Sequence, residues 1–202
     1  MNKLFLLVVG FAFSMSNISY AGDAKAGAVK AATCVACHGA DGNSMAPNFP
    51  NLAGQGEPYI IKQLTDLKAN KTRKDATMIG MVAALTPIDM ENIAAFFSAQ
   101  KLKIKPIPMS DAIKKGQDIY RGGITGVNIP ACIGCHGPKG EGNPGAKYPA
   151  LSGQNQVYSL KQLKDFQSGA RFNDEKSVMR DVVKRMTVDE MQAVTSYIAG
   201  LK

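Results

Sequence analysis

This 202-residue chain has four cysteines and two histidines, and all six fall in two copies of one pattern. The copies are Cys34-Val35-Ala36-Cys37-His38 and Cys132-Ile133-Gly134-Cys135-His136. Two thiols at Cys-x-x-Cys spacing can add covalently to the vinyl groups of a haem, and a histidine directly after them can bind the iron axially. A thioredoxin-like redox pair, a zinc site and disulfides compete for the same cysteines. The redox pair expects a β-strand ahead of it, and no period-2 run of Val, Ile or Thr precedes either copy. A zinc site leaves both trailing histidines as coincidence, and disulfides are an option for an exported chain. The pattern therefore points to two covalent haem c groups, held by Cys34, Cys37, Cys132 and Cys135, with His38 and His136 on the irons.

The surrounding sequence is one unit written twice. Aligned on the cysteines, Leu52-Ala53-Gly54-Gln55 matches Leu151-Ser152-Gly153-Gln154, and Tyr59 with Lys62-Gln63-Leu64 matches Tyr158 with Lys161-Gln162-Leu163. Met78 pairs with Met179, Thr86 with Thr187, and Met90 with Met191. Each copy predicts three helices and no sheet. The first covers Asp23–Thr33 and Asp111–Arg121, with Gly27 and Gly116 placed to let another helix cross closely. The second carries Ile61, Leu64 and Leu67, matched by Leu160, Leu163 and Phe166. The third starts at Thr86 or Thr187 as N-cap with an acid three residues on, and runs an apolar stripe through Met90, Ile93, Ala94 and Phe97, or Met191, Val194, Thr195 and Ile198. Gly122 to Pro130 has no counterpart in the first copy and reads as a loop over the second haem.

Both histidines are spent on attachment motifs, so the sixth ligand is methionine, a less common group such as lysine, or nothing. Met45, Met81 and Met109 have no methionine at the matching place, and Met90 and Met191 belong to the apolar stripe of a capped helix. Met78 and Met179 precede that helix in less regular, polar sequence from which a loop can reach a haem face, and they are assigned as ligands. A thioether opposite imidazole raises the potential relative to bis-imidazole and fills the iron, which favours outer-sphere electron transfer over catalysis.

Residues 1–21 read as a secretory signal, with Lys3, the apolar run Leu4 to Phe13 and Ser19-Tyr20-Ala21 before the cleavage point. No other segment approaches the roughly twenty apolar residues of a membrane helix. The expectation is an exported, periplasmic protein. It divides into residues 22–100 and 111–202, one haem each, joined by a stiff linker at 101–110 containing Lys101, Lys103, Lys105 and Pro106-Ile107-Pro108. Domains this small lean on the haem as the centre of their core. The net charge is +8; residues 22–100 balance seven basic against seven acidic groups, whereas 111–202 carry thirteen against nine. The excess serves solubility or orients a docking dipole, and without an aromatic-basic motif it does not suggest nucleic acid.

Taken with Cys34 to Ser44, Pro47 to Gln55 and Gly153 to Leu163, the chain resembles the class I cytochromes c and, as a tandem pair, the di-haem cytochrome c4 family over essentially the whole mature chain. The resemblance implies an all-α fold of two class I cytochrome c domains about a pseudo-two-fold axis, with haem propionates close together. It implies a non-enzymatic respiratory electron carrier between redox partners such as a quinol-oxidising complex and a haem-copper terminal oxidase, with peripheral membrane association left open. It also assigns Pro50 and Pro149 as carbonyls that accept the second ring N–H of His38 and His136. Arg171 fits the family's propionate arginine; in the first copy Lys71 or Arg73 could take that role. The alternative is the electron-accepting subunit of a flavocytochrome c of the sulfide dehydrogenase type. A thiosulfate-oxidising di-haem enzyme usually needs a cysteine to spare, a peroxidase needs more histidines, and a gas sensor needs an open iron.

Overall fold

In the computed structural model, which describes residues 22–202, helix α1 (Ala24–Lys30) starts where the Asp23 carboxylate accepts the N–H groups of Lys25 and Ala26. The expected signal, residues 1–21, lies outside the described residues. A 3₁₀ turn at Ala31–Thr33 then delivers the chain to α2 (Val35–His38), so the helix expected over Asp23–Thr33 gives way to a tighter turn just before the first motif. Helix α3 (Glu57–Ala69) has proline in its first turn and ends at left-handed Asn70, burying Ile60, Gln63, Leu64 and Leu67. Helix α4 (Ala76–Val82) follows Asp75, and α5 (Pro87–Ser98) opens on a full capping box between Thr86 and Asp89.

The second half repeats the order as α6 (Asp111–Gly122), α7 (Ile133–His136), α8 (Gln156–Ser168), α9 (Val178–Val183) and α10 (Val188–Gly200), the last with its own Thr187–Glu190 capping box. Among the described residues there are isolated bridges but no strand. Each half thus has five helices rather than three, the additional ones being the motif turn and a short helix around Met78 or Met179. Helix α4 starts where Asp75 accepts from the N–H groups of Thr77 and Met78, and it sets Met78 and Val82, one turn apart, against the first core.

Helix α1 crosses α5, and α6 crosses α10, with almost no space between backbones. A Cβ on Gly27 would lie 1.9 Å from the Asn92 carbonyl oxygen, and one on Gly116 would lie 2.0 Å from that of Ala193. Two separate apolar cores form around these crossings. One is built on Ile60, Leu64, Leu67, Met90, Ile93 and Phe97, the other on Ile113, Tyr120, Phe166, Met191, Val194 and Ile198. The segment Gly122 to Pro130 folds back through a bridge between Ile124 and Ile129, burying Ile129, while Arg185 donates to the Asn128 carbonyl.

The halves meet through matched positions. The Gln154 side chain accepts from the Asn51 N–H at 2.8 Å and donates to the Asn51 carbonyl at 2.9 Å. Its counterpart Gln55 does the same to Ala150, at 2.8 and 2.9 Å. Arg171 donates to the Tyr59 hydroxyl and Arg73 to that of Tyr158, and the two arginines form an antiparallel bridge next to a bond from Phe172 N–H to the Thr72 carbonyl. Residues 101–110 have no regular structure. The linker is strapped to the first half by Asn43, which accepts from Lys103 N–H and donates to the Lys101 carbonyl, and by an ion pair of Lys103 with Asp41.

Candidate haem sites

The two motifs sit on four-residue helical turns, α2 and α7, each closed by a glycine at φ +81°. That conformation excludes ordinary side chains and turns the chain sharply after the histidine. None of the four cysteines is in a disulfide, which leaves all four sulfurs for attachment. Burial pushes the Cys34 thiol up and that of Cys132 up to about 11.

Both histidines are nearly buried, at 5% and 7% exposure. Burial lowers their pKa values, against a backbone hydrogen bond that raises them, which favours the neutral imidazole that a metal needs. His38 Nδ1 lies 3.0 Å from the Pro50 carbonyl oxygen and His136 Nδ1 lies 2.9 Å from that of Pro149. A carbonyl can only accept, so Nδ1 carries the proton and Nε2 is left with its lone pair. An aromatic ring stands beside each imidazole at 6.2 Å between centroids, Phe49 in the first half and Tyr148 at the matching place in the second.

The walls around these groups have a cradle's character. Cys34, Leu52, Ile61 and Met78 pack against the first core but remain half-buried. Cys132, Leu151, Leu160 and Met179, at the corresponding positions, do the same against the second. A large apolar ring laid on these four surfaces in each half would complete the core. The sequence placed Met78 and Met179 in irregular chain; each instead lies in the first turn of α4 or α9, with the Met78 N–H held by Asp75. Met90 and Met191 are core residues, at 4% and 0% exposure. Met186 escaped notice in the sequence because its counterpart is Leu85, and it too is buried.

A buried cation lies between the halves. Arg171 is only 6% exposed, stacks over Phe166 at 4.4 Å, and spends its donors on Asn173, Gln162, Tyr59 and Gln63, all uncharged. A buried guanidinium satisfied by neutral oxygens still attracts a counter-anion. Its neighbour across the bridge is Arg73, not Lys71, and Arg73 shares the Gln63 oxygen. Burial pushes the Tyr59 phenol up, but Arg171 and Arg73 outweigh it and hold its pKa below the ordinary value. The donor set, the half-covered apolar walls and this cationic centre all fit haem c, whose propionates would add negative charge there. Sequence reasoning missed Asn51, Gln55 and Gln154 as interface residues, although both glutamines stand in the string that recurs between copies.

Comparison with known proteins places the chain in a family. The cytochrome c family model matches residues 24–101 and 113–202. Cytochrome c4 of Stutzerimonas stutzeri is 48% identical over 190 residues, covering 90% of each chain. Cytochrome c4 of Pseudomonas aeruginosa is 43% identical over 205 residues, covering the whole of both. The crystal structure of reduced recombinant cytochrome c4 from Pseudomonas stutzeri superposes with a TM-score of 0.86 at 47% identity, over 90% of this chain and all of that one.

Proposed function

The chain belongs to the cytochrome c4 family, and from that premise we propose a periplasmic, non-enzymatic carrier that passes electrons one per haem along a respiratory chain towards a terminal oxidase. It is a di-haem c-type cytochrome and an electron carrier. Each bound haem supplies one reversible ferric–ferrous electron.

The residues of the chain do the rest. Cys34 and Cys37, with Cys132 and Cys135, would tether the two groups; His38 and His136 would bind through Nε2, and Met78 and Met179 would complete the coordination. The Pro50 and Pro149 carbonyls hold each imidazole in the tautomer that ligation requires, at 3.0 and 2.9 Å. Arg171 and Arg73 hold negative charge at the junction between halves. The observation that carries this reading is the saturated ligand inventory: two histidines, both tied by Nδ1, each in a half that has a methionine on its uncovered wall. With a histidine and a methionine held for each haem, these residues would leave no vacancy for oxygen, peroxide or substrate, which favours outer-sphere transfer.

No single helix among the described residues is long and apolar enough to cross a membrane. The donor and acceptor are redox proteins of the same compartment, a quinol-oxidising complex and a haem-copper oxidase being the pair expected. The rival reading, an electron-accepting subunit of a flavoenzyme, predicts co-purification with a flavoprotein, whereas a free carrier purifies alone.

Near-red absorption with a redox titration tests the coordination. The ferric protein should show a methionine–iron charge-transfer band, and Met78→Ala and Met179→Ala should each remove about half of it. Ready binding of carbon monoxide by the untreated ferrous protein would overturn six-coordination.

A further inference from the structure

The bonds that join the halves run directly into the bonds that hold the histidines. The Pro50 carbonyl that accepts from His38 Nδ1 and the Asn51 N–H that donates to Gln154 Oε1 belong to one peptide group. In the other direction, the Pro149 carbonyl that accepts from His136 Nδ1 and the Ala150 N–H that donates to Gln55 Oε1 again share one peptide group. Each chain of bonds is therefore glutamine oxygen, peptide, imidazole, and each crosses from one half to the other. All the links lie between 2.8 and 3.0 Å, and both glutamines are buried.

We propose that Gln154 and Gln55 are crossed positioning residues: Gln154, in the second half, sets the basicity and orientation of His38 in the first, and Gln55 does so for His136. Resting on the proposed ligation by His38 and His136, the inference has a definite sign. An acceptor on a peptide N–H polarises the carbonyl of the same peptide and strengthens the bond that this carbonyl accepts. A stronger bond at Nδ1 makes Nε2 a better donor to the metal and favours the ferric state, because hydrogen bonding behind the ligand is one of the levers on haem potential. Each half thereby lowers the potential of the other's haem. Docking of the halves and tuning of the irons are consequently one event.

The two relays are not equally braced. Asn51 is also fixed by its own side chain, which donates to the Gly153 carbonyl and accepts from Ser44 N–H, both at 2.8 Å. Ala150 has no polar side chain, so the relay to His136 relies more heavily on its glutamine.

Gln154→Leu and Gln55→Leu in the full-length holoprotein test this, with haem-resolved redox titration and the Nδ1–H resonances of the two histidines as readouts. Gln154→Leu should lower the ferric-to-ferrous ratio of the first haem about two- to threefold at a fixed potential, and move the His38 Nδ1–H resonance upfield. The second haem and His136 should respond less. Gln55→Leu should give the mirror pattern with an effect at least as large. Effects on the variant's own half, equal effects on both haems, or none would overturn the relay. If one variant fails to accumulate, the other decides by the same criterion. The spectrum of the unmutated protein separates this from the underlying assignment: without two low-spin haems there, the ligand reading fails before the relay is tested.

Discussion

Replacing Gly116 by alanine should destabilise the second half even though alanine is the better helix former. A Cβ there would stand 2.0 Å from the Ala193 carbonyl oxygen, 2.6 Å from its carbon and 2.9 Å from the Tyr197 Cβ. Two of these are backbone atoms, which cannot swing away. A tolerable C···O contact is roughly 3.3 Å, so α6 and α10 must part by about 1.3 Å. Parting them loosens Ile113, Tyr120, Met191, Val194 and Tyr197 together, and a gap of even 0.5–1 Å forfeits roughly a quarter to a half of each dispersion contact. Overpacking of this kind costs about 1–3 kcal/mol or more, against a gain of about 1 kcal/mol in helix propensity. Because the clash is with backbone, the upper end of that cost applies and the net loss should reach about 2 kcal/mol, or roughly 10 °C in melting temperature for a domain of this size. Thermal and urea denaturation of the holoprotein by circular dichroism would measure it. Gly80, in α4, is the control, since nothing lies within 4 Å of a Cβ placed there. Gly80→Ala should be neutral or stabilising by up to about 1 kcal/mol. Gly116→Ala behaving like Gly80→Ala would refute the close crossing.

Three further outcomes are expected. Asp41 is held down to about 2, first by the hydrogen bond from Lys103 and then by the backbone and side chain of Asn43. Its folded value is depressed, so the clamp on the linker is complete above the ordinary value of 3.8 and is lost as pH falls through about 2; a carboxyl carbon titrating at 3.8 by NMR would show that no clamp forms. Thr187→Ala removes the acceptor for Glu190 N–H at the start of α10 and should cost about 1 kcal/mol in urea denaturation, with an unchanged midpoint speaking against the cap. Chemical removal of the haems should abolish cooperative melting, because the half-buried walls at Leu52, Ile61, Leu151 and Leu160 would have nothing to pack against; an apoprotein that melts cooperatively near the native temperature would contradict this.

Much of the molecule was legible in its residues because the signals were local. The capping boxes at Thr86 and Thr187 need only four residues each, and the glycines at 27 and 116 announced close crossings through their spacing alone. Helices α4 and α9 were not legible: at seven and six residues they are too short to show a repeating apolar stripe, and each starts from a cap or a neighbouring turn. The position of Arg73 also needed three dimensions, since its backbone meets that of Arg171 only once the two halves come together. The amide contacts of Gln55 and Gln154 join residues about a hundred positions apart, beyond the reach of any periodicity.

Each copy offers the other the same groups that it receives: Gln55 meets Ala150 as Gln154 meets Asn51, and Tyr59 meets Arg171 as Tyr158 meets Arg73. A self-complementary surface has a valence of one, whereas a head-to-tail contact would leave an unsatisfied face at either end and invite a third copy. The short tether holds the second copy at an effective concentration on the order of millimolar, so its own partner outcompetes any neighbouring molecule. Duplication followed by fusion has therefore yielded a closed pair, which keeps two redox centres together without opening a route to polymerisation.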